Sequence, residues 1–437
     1  LPISLKSYID IEVTMSQKLV LTTLVILVLS ACTGTESMLV EEGPLAGINI
    51  TIDPGHGDTQ AYDSFRIGQT GEREEWINLR VAKLLSQKLS RAGANVLMTR
   101  GKDRDVSLGG RAALARLHQS DLFVSIHHNG SVNDLGMDFP LVYFFGAASL
   151  NPASVDFAKI LLDSMRAEMT FNQQQAGAAY SDHLIYSSGT SVLRNTVDDM
   201  PGVIGEGGFF THPAGEGRLK SKEYNKLEAE IYYKAILDYF ERGTPSATPL
   251  IPDSLKFIDL GKPIEFELDD GFGNTFFEEN SFMVLQDDEK IQSSWDSNSG
   301  ILTAVPDSSQ EKRVTFQVFA RNLKGNAMHP VPFKFLTEFG YDWYSHGKWF
   351  EAFNEAEVVY TQIASPDIET SENQLVLIDA SLHLYQLSLE LQIVHPQARL
   401  AEEKILWLLE KKQDLLEVDL SEELEAQKGR LKDYYPE

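Results

Sequence analysis

The stretch Ile48-Asn49-Ile50-Thr51-Ile52-Asp53-Pro54-Gly55-His56-Gly57 decides the fold of the first half of the chain. Its apolar run ends in an Asp-Pro-Gly turn, which is typical of a buried β-strand that stops at a loop. Short runs rich in apolar residues recur at 95–98, 122–126, 141–145 and 203–204. Helical patterns lie between and after them, at 74–92, 108–117, 154–169 and 220–239. This alternation predicts an α/β domain with a mostly parallel sheet and helices on both faces.

Chemically active side chains lie where three of these predicted strands end. His56, His127 and Glu206 each come just after an apolar run, and Glu74 begins a predicted helix. We expect the four to converge, because sites in such sheets form at the carboxyl ends of the strands. Two histidines and one carboxylate can hold a Zn²⁺ ion and leave its fourth position open for water. A second carboxylate can then serve as the base, so the set predicts hydrolysis of an amide.

Six motifs along this region resemble those of the zinc-dependent N-acetylmuramoyl-L-alanine amidases. Their order and their spacing both agree with the family, which makes the resemblance far more specific than a single Pro-Gly-His would be. In chain order they are Ile52-Asp53-Pro54-Gly55-His56-Gly57, Glu74-x-x-x-Asn78-Leu79, Leu97-Met98-Thr99-Arg100, Ser107-Leu108-x-x-Arg111, Val124-Ser125-Ile126-His127-x-Asn129 and Glu206-x-Gly208-Phe209.

The resemblance covers residues 46–242 and carries implications for the reaction and for the site. It implies a hydrolase of peptidoglycan that cuts the amide between N-acetylmuramic acid and L-alanine. It also implies that His56, Glu74 and His127 hold the zinc ion and that Glu206 is the catalytic base. The family glutamate lies four residues before the motif asparagine, and this register selects Glu74 over the glutamates beside it.

Four further positions carry weaker expectations. The family more often has a small residue where this chain has His128, and Asp58 replaces a second glycine. Successive strand residues face opposite ways, so His128 should pack rather than bind the metal, with lining of the cleft as the alternative. The resemblance also suggests substrate contacts for Arg194 and Asn129, although for Arg194 an exposed or structural role is the favoured interpretation.

The second half of the chain changes pattern twice. Residues 241–252 are predicted to be a linker, and period-two alternation over 253–337 predicts a small β-sandwich that resembles bacterial immunoglobulin-like domains. Residues 339–437 are helical in pattern. Their opening at Trp343 weakly resembles a tetratricopeptide repeat, but no second repeat follows. We expect a small helical domain that packs against the sandwich, with the binding of a protein partner as the alternative.

The first 45 residues predict an exported and lipid-anchored protein. An apolar run at 19–29 has the length of a signal-peptide core, and Leu29-Ser30-Ala31-Cys32 resembles a lipobox. Residues 1–32 are therefore expected to form an upstream segment and a lipoprotein signal peptide with its start at Met15. Cys32 would be acylated, and 33–45 would be a tether. Thr33 after the cysteine favours the outer membrane, and hence the periplasm, by analogy with other lipoproteins.

The net charge disfavours some partners, and the sequence leaves two other functions open. A net charge of −26 makes nucleic acid and anionic lipid headgroups poor partners. One rival is a zinc carboxypeptidase-like enzyme of related fold, which would need a cationic clamp for a substrate carboxylate. Arg100 and Arg111 are the candidates, but their motif positions suggest structural roles. The other is a wall-binding lipoprotein adaptor without turnover, whose C-terminal modules recruit partners.

Overall fold

The computed structural model describes residues 43–58, 66–251, 258–309, 313–337, 343–363, 371–391, 397–416 and 419–434. The predicted start at Met15, the lipidation site Cys32 and most of the tether lie outside these residues. Within the described part of the chain, no helix combines the length and apolar character needed to cross a bilayer.

Residues 49–209 form a six-stranded sheet with the order β2-β1-β3-β6-β4-β5. Strands β1, β2, β3 and β6 run parallel, whereas β4 is antiparallel to β6 and parallel to β5. The predicted α/β class is therefore confirmed, although the sheet is mixed at one junction. The strands are β1 (Asn49–Pro54), β2 (Asn95–Met98), β3 (Leu122–Asn129), β4 (Leu141–Phe144), β5 (Ala178–Ser181) and β6 (Gly202–Phe209).

Helices cover both faces of this sheet, as the sequence predicts. They are α1 (Glu74–Arg91), α2 (Leu108–Leu117), α3 (Pro152–Glu168), α4 (Ser191–Arg194), α5 (Pro213–Leu219) and α6 (Lys222–Glu241). Helices α1, α3 and α6 share the main hydrophobic core with one face. Helices α2 and α4 pack on the other face, against residues such as Phe123 and Ile204. Helix α2 begins where the Ser107 side chain accepts a hydrogen bond from the Gly110 amide at 3.1 Å.

The β-rich region is a seven-stranded antiparallel sheet with the order β13-β12-β9-β10-β11-β8-β7. Strand β10 pairs with β9 at its start and with β11 along the rest, so it joins two parts of the sheet. Both parts bury side chains in one hydrophobic core, as in a sandwich. The first strand lies inside the stretch that we predicted to be a linker. The strands are β7 (Ser246–Pro249), β8 (Ile264–Asp269), β9 (Met283–Gln286), β10 (Glu289–Asp296), β11 (Ile301–Val305), β12 (Arg313–Phe319) and β13 (Phe333–Leu336).

The C-terminal helices pack against α2, so our expectation that they pack on the sandwich is wrong. Their hydrophobic core includes Ala113 and Leu114 of α2 together with Trp349 and Phe353. Arg116 at the end of α2 forms an ion pair with Glu355 at 3.0 Å. The physical reason is that α2 is apolar around most of its circumference and must be covered on both sides. The helices are α7 (Trp343–Ile363), α8 (Ser371–Leu391), α9 (Ala398–Leu416) and α10 (Ser421–Tyr434).

Candidate metal centre

The loop after β1 carries His56 and is braced by two buried arginines. Arg100 donates from Nε to the Pro54 carbonyl at 2.8 Å and from Nη2 to the Gly55 carbonyl at 2.9 Å. Arg111 donates to the Pro54 carbonyl at 2.9 Å and to the His56 carbonyl at 2.6 Å. His56 itself has a φ of 61°, which non-glycine residues rarely adopt. The two guanidinium groups therefore fix a strained loop, which leaves them poorly suited to clamp a substrate carboxylate.

Asp53 anchors this brace from the end of β1. It accepts hydrogen bonds from Arg111 Nη1 at 2.7 Å, Thr99 Oγ1 at 2.6 Å and Ser125 Oγ at 2.7 Å. Burial alone would raise the pKa of Asp53, but Arg111 and the two hydroxyl donors outweigh it and lower the pKa below its usual value. Asp53 is therefore a buried carboxylate that holds the neighbouring strands and the His56 loop together.

The structure brings His56, Glu74 and His127 together, as the sequence predicts. Glu74 Oε1 lies 3.0 Å from His127 Nδ1, and Glu74 Oε2 lies 3.3 Å from His56 Nε2. One ligand atom from each residue lies within 4.8 Å of the other two. Although burial opposes it, the two imidazoles hold the pKa of Glu74 well below its usual value, so this group is a carboxylate. Two imidazole nitrogens and a carboxylate are a donor set that fits Zn²⁺.

Two local features give the histidines room to meet. Gly55 lies so close to the His127 ring that a Cβ there would be 2.1 Å from Nε2, so a side chain at this position would displace the ring. Strand β3 continues to Asn129, which places His127 on the same sheet face as Phe123 and directs His128 to the opposite face. The two rings of the cluster meet edge to face, with their centroids 4.7 Å apart.

His128 is buried and hydrogen-bonded on the side of the sheet that carries α1 and α6. Its Nδ1 lies 2.8 Å from Asn78 Oδ1, and its Nε2 lies 3.1 Å from Glu228 Oε2. Its position therefore favours the prediction that His128 packs over the alternative that it lines the cleft. Glu228 went unnoticed in the sequence; the available signal was a charged residue at a position that the buried stripe of α6 would give to an apolar one.

Glu206 lies beside the histidine cluster, on strand β6. It is the parallel neighbour of His127 in the register of β3 and β6. Its Oε2 atom is buried and has no hydrogen-bond partner among the described residues. Burial raises the pKa of Glu206 to about 7, with Glu74 adding to the rise and His127 opposing it. A carboxylate with an unpaired oxygen and a pKa near neutrality suits a general base or acid.

An open cleft of about 520 Å³ gives access to these groups, and His56, His127 and Glu206 all line it. Its lining also includes three solvent-exposed residues, Leu108 at the start of α2 and Ile185 and Tyr186 in the segment before α4, which we call the rim loop. The rim loop is fixed by buried Asp182, which accepts hydrogen bonds from the Thr190 amide and hydroxyl at 2.7 Å each.

Neither of the two residues suggested as substrate contacts is among the described residues that line this cleft. Arg194 is exposed at the end of α4 and donates to the carbonyl groups of Ser188 at 2.8 Å and Gly189 at 3.1 Å. Asn129 is partly buried at the end of β3, and its side chain accepts from the Gly130 amide at 2.8 Å. Both side chains hold backbone in this structure, and their contacts with substrate stay a prediction.

This region of the chain is similar to known proteins. The profile of the family described as N-acetylmuramoyl-L-alanine amidase matches residues 50–238. The uncharacterized protein YqiI of Bacillus subtilis is 30% identical over 200 residues, which cover 46% of this chain and 88% of YqiI. The N-acetylmuramoyl-L-alanine amidase LytC of the same organism is 29% identical over 199 residues, but only 37% of its length is covered.

Solved structures match the same part of the chain. An N-acetylmuramoyl-L-alanine amidase from Clostridium difficile 630 is 27% identical, and the match covers 44% of this chain and 97% of that one, with a TM-score of 0.39. The amidase AmiC2 of Nostoc punctiforme is 26% identical over 45% of this chain and 99% of its own, with a TM-score of 0.38.

Proposed function

This chain belongs to the N-acetylmuramoyl-L-alanine amidase family, and we propose that it works as a zinc hydrolase with Glu206 as its base. Its reaction is hydrolysis of the amide between N-acetylmuramic acid and the L-alanine of the peptidoglycan stem. The observation that carries the proposal is the convergence of His56, Glu74 and His127 within 4.8 Å, beside a carboxylate with an unpaired oxygen.

The donor set defines what a bound metal would contribute. Zn²⁺ held by the two imidazoles and Glu74 would supply a Lewis acid that polarises the amide carbonyl and lowers the pKa of water. The depressed pKa of Glu74 supports this role, because a ligand must be deprotonated to bind.

Glu206 would transfer the proton in this reaction. Its Oε2 takes a proton from the attacking water, whose oxygen forms a bond to the amide carbon. The same carboxyl then delivers the proton to the nitrogen of L-alanine as the C–N bond breaks, so proton and leaving group balance. A pKa raised towards neutrality suits a group that must both accept and release a proton. Arg100 and Arg111 act earlier, since they hold the His56 loop in place before substrate arrives.

The rival functions find less support in the cleft. A carboxypeptidase-like enzyme would need a cation free to bind a substrate carboxylate. Arg100 and Arg111, the two candidates from the sequence, instead give their donors to backbone carbonyls and to Asp53. A binding module without turnover would have no use for a carboxylate with a raised pKa beside the ligand set.

The place of action is the cell envelope, where peptidoglycan lies. We propose further that Cys32 is acylated and anchors the protein to the outer membrane from the periplasmic side, on the strength of the lipobox-like sequence. Fractionation of cells that express the unmutated protein or Cys32→Ser tests this: the unmutated protein should appear with membranes and the variant in the soluble fraction. Equal partitioning of the two would refute the anchor. A protein partner of 339–437, if one binds, would use faces other than the one that covers α2.

The deciding experiment compares the zinc-loaded protein with its Glu206→Gln variant on purified peptidoglycan. Mass spectrometry should find stem peptides that begin at L-alanine, and glycan without stems, only with the unmutated protein. Glu206→Gln should bind zinc at the same stoichiometry. Cuts elsewhere in the stem would favour the peptidase, and a Glu206→Gln protein that has lost its zinc would refute the assignment of Glu206 as base.

A further inference from the structure

Four buried polar side chains form a continuous chain from helix α6 to the candidate metal centre. Glu228 Oε2 lies 3.1 Å from His128 Nε2, and His128 Nδ1 lies 2.8 Å from Asn78 Oδ1. Asn78 Nδ2 in turn donates to Glu74 Oε1 at 3.4 Å. None of the four is more than 4% exposed. The chain of contacts therefore ends on a residue that we assign as a zinc ligand.

The hydrogen bonds fix the orientation of each group in this chain. Asn78 uses its amide nitrogen to donate to the Gly55 carbonyl at 3.1 Å as well as to Glu74, so its oxygen faces His128 as an acceptor. His128 must then carry a proton on Nδ1, and its contact with Glu228 requires a second proton held between Nε2 and Oε2. The His128 backbone amide also donates to Glu74 Oε1 at 3.2 Å. His128 thus contacts Glu74 by two routes, one through its backbone and one through Asn78.

Of the glycines on either side of Glu206, Gly207 leaves space for Glu228 and His128, and Gly205 leaves space for their neighbour Tyr232. A Cβ at Gly207 would lie 2.4 Å from Glu228 Oε1 and 3.0 Å from His128 Nε2. A Cβ at Gly205 would lie 2.1 Å from the Tyr232 hydroxyl. Because alternate residues of a strand face opposite sides, these two positions lie behind the sheet when Glu206 faces the cleft. Strand β6 therefore presents Glu206 on one face and leaves room for the hydrogen-bonded side chains on the other.

We propose that His128 and Glu228 are positioning residues for Glu74 and act on it through Asn78. Residues behind a metal ligand fix its orientation, and their loss typically weakens metal binding. A buried carboxylate and imidazole are costly to keep in a core, which a purely packing role would not require. The inference rests on the proposed zinc function.

The test measures the zinc dissociation constant by competition with a chromophoric chelator at fixed pH. Glu228→Leu keeps the volume but removes the partner of His128 Nε2, and it should weaken zinc binding by about 10- to 100-fold. Glu228→Gln can still hydrogen-bond to His128 and should stay within about threefold of the unmutated protein. Tyr232→Phe is the matched control, because its buried hydroxyl has no hydrogen-bond partner among the described residues and its loss should leave zinc affinity unchanged.

A second variant and a second readout separate positioning from simple loss of stability. His128→Ala should weaken zinc binding as Glu228→Leu does. The double variant should bind zinc no more weakly than the weaker of the two single variants, because both substitutions interrupt the same series of hydrogen bonds. Unfolding midpoints of the metal-free proteins give the stability change. If either single variant folds and binds zinc within about threefold of the unmutated protein, the inference is refuted. If the unmutated protein binds no zinc, the proposed function fails instead.

Discussion

Gly55→Ala tests the close approach on which the ligand geometry depends. An added Cβ would lie 2.1 Å from His127 Nε2, 2.2 Å from Cε1 and 2.6 Å from Cδ2. The ring must therefore move by roughly 1.5 Å before these atoms reach the ordinary van der Waals separation of about 3.5–4.0 Å. Gly55 does not have a positive φ, so the backbone tolerates alanine and the conflict falls on the histidine ring.

A ring displacement of this size is large for a metal site. Metal–ligand distances hold within about 0.2 Å, so a shift of roughly 1.5 Å removes His127 from the coordination sphere. Loss of a direct ligand should exceed the roughly 10- to 100-fold weakening that loss of an outer-shell partner causes. We therefore expect Gly55→Ala to bind zinc at least about 100-fold more weakly and to lose activity in proportion.

The assay pairs zinc affinity with thermal unfolding in excess chelator, so that metal binding and stability are read separately. Gly101→Ala is the matched control, because a Cβ at Gly101 meets nothing within 4 Å and its φ is not positive. Gly101→Ala should retain zinc affinity and activity. If Gly55→Ala binds zinc as tightly as Gly101→Ala does, then His127 is not a ligand in the position described, and the reasoning from this contact is refuted.

Three further predictions address the base, the brace and the shared core. The charge of a bound divalent cation lowers the pKa of Glu206 from its metal-free value of about 7, so the fall of kcat/KM at acid pH should have its midpoint below pH 7. If the residual activity of Glu206→Gln falls with the same midpoint, the assignment of Glu206 is contradicted. The pKa of Asp53 is depressed on folding, so its stabilisation holds above the unfolded pKa of about 3.9 and is lost as pH falls. The unfolding midpoint of Asp53→Asn should therefore fall less steeply at acid pH than that of the unmutated protein. An equally steep fall would contradict this role of Asp53. Leu114→Ala should cost about 2–5 kcal/mol and destabilise the catalytic and C-terminal helical regions together, as judged by tryptophan fluorescence and zinc release; separate transitions would refute a shared core.

The sequence predicts which side chains converge better than it predicts the limits of the strands that carry them. Apolar runs locate β1, β3 and β6, but β3 extends through His127 to Asn129, and β6 spans eight residues although only two look strand-like. Glycines at 205, 207 and 208 oppose strand formation on propensity alone. Pairing with β3 and the need for space behind Glu206 override that preference, and neither is visible from local sequence.

Long-range partners account for the remaining differences. Strand β5 has only Ala-Ala-Tyr-Ser and forms at the edge of the sheet by pairing with β4, so no apolar run marks it. The packing of the C-terminal helices on α2 depends on which face of α2 is left uncovered by the sheet. Glu228 lies 100 residues from its partner His128, and no local pattern links the two.

The shared core between α2 and the C-terminal helices affects how this enzyme can be divided. A fragment that ends after Glu241 would expose Ala113, Leu114 and Leu117 to water, on the same helix whose first turn borders the cleft. Such an uncovered apolar surface favours self-association, so the isolated fragment should aggregate even though its sheet is complete. Polar replacements at Leu114 and Leu117 would be required to make a soluble minimal enzyme.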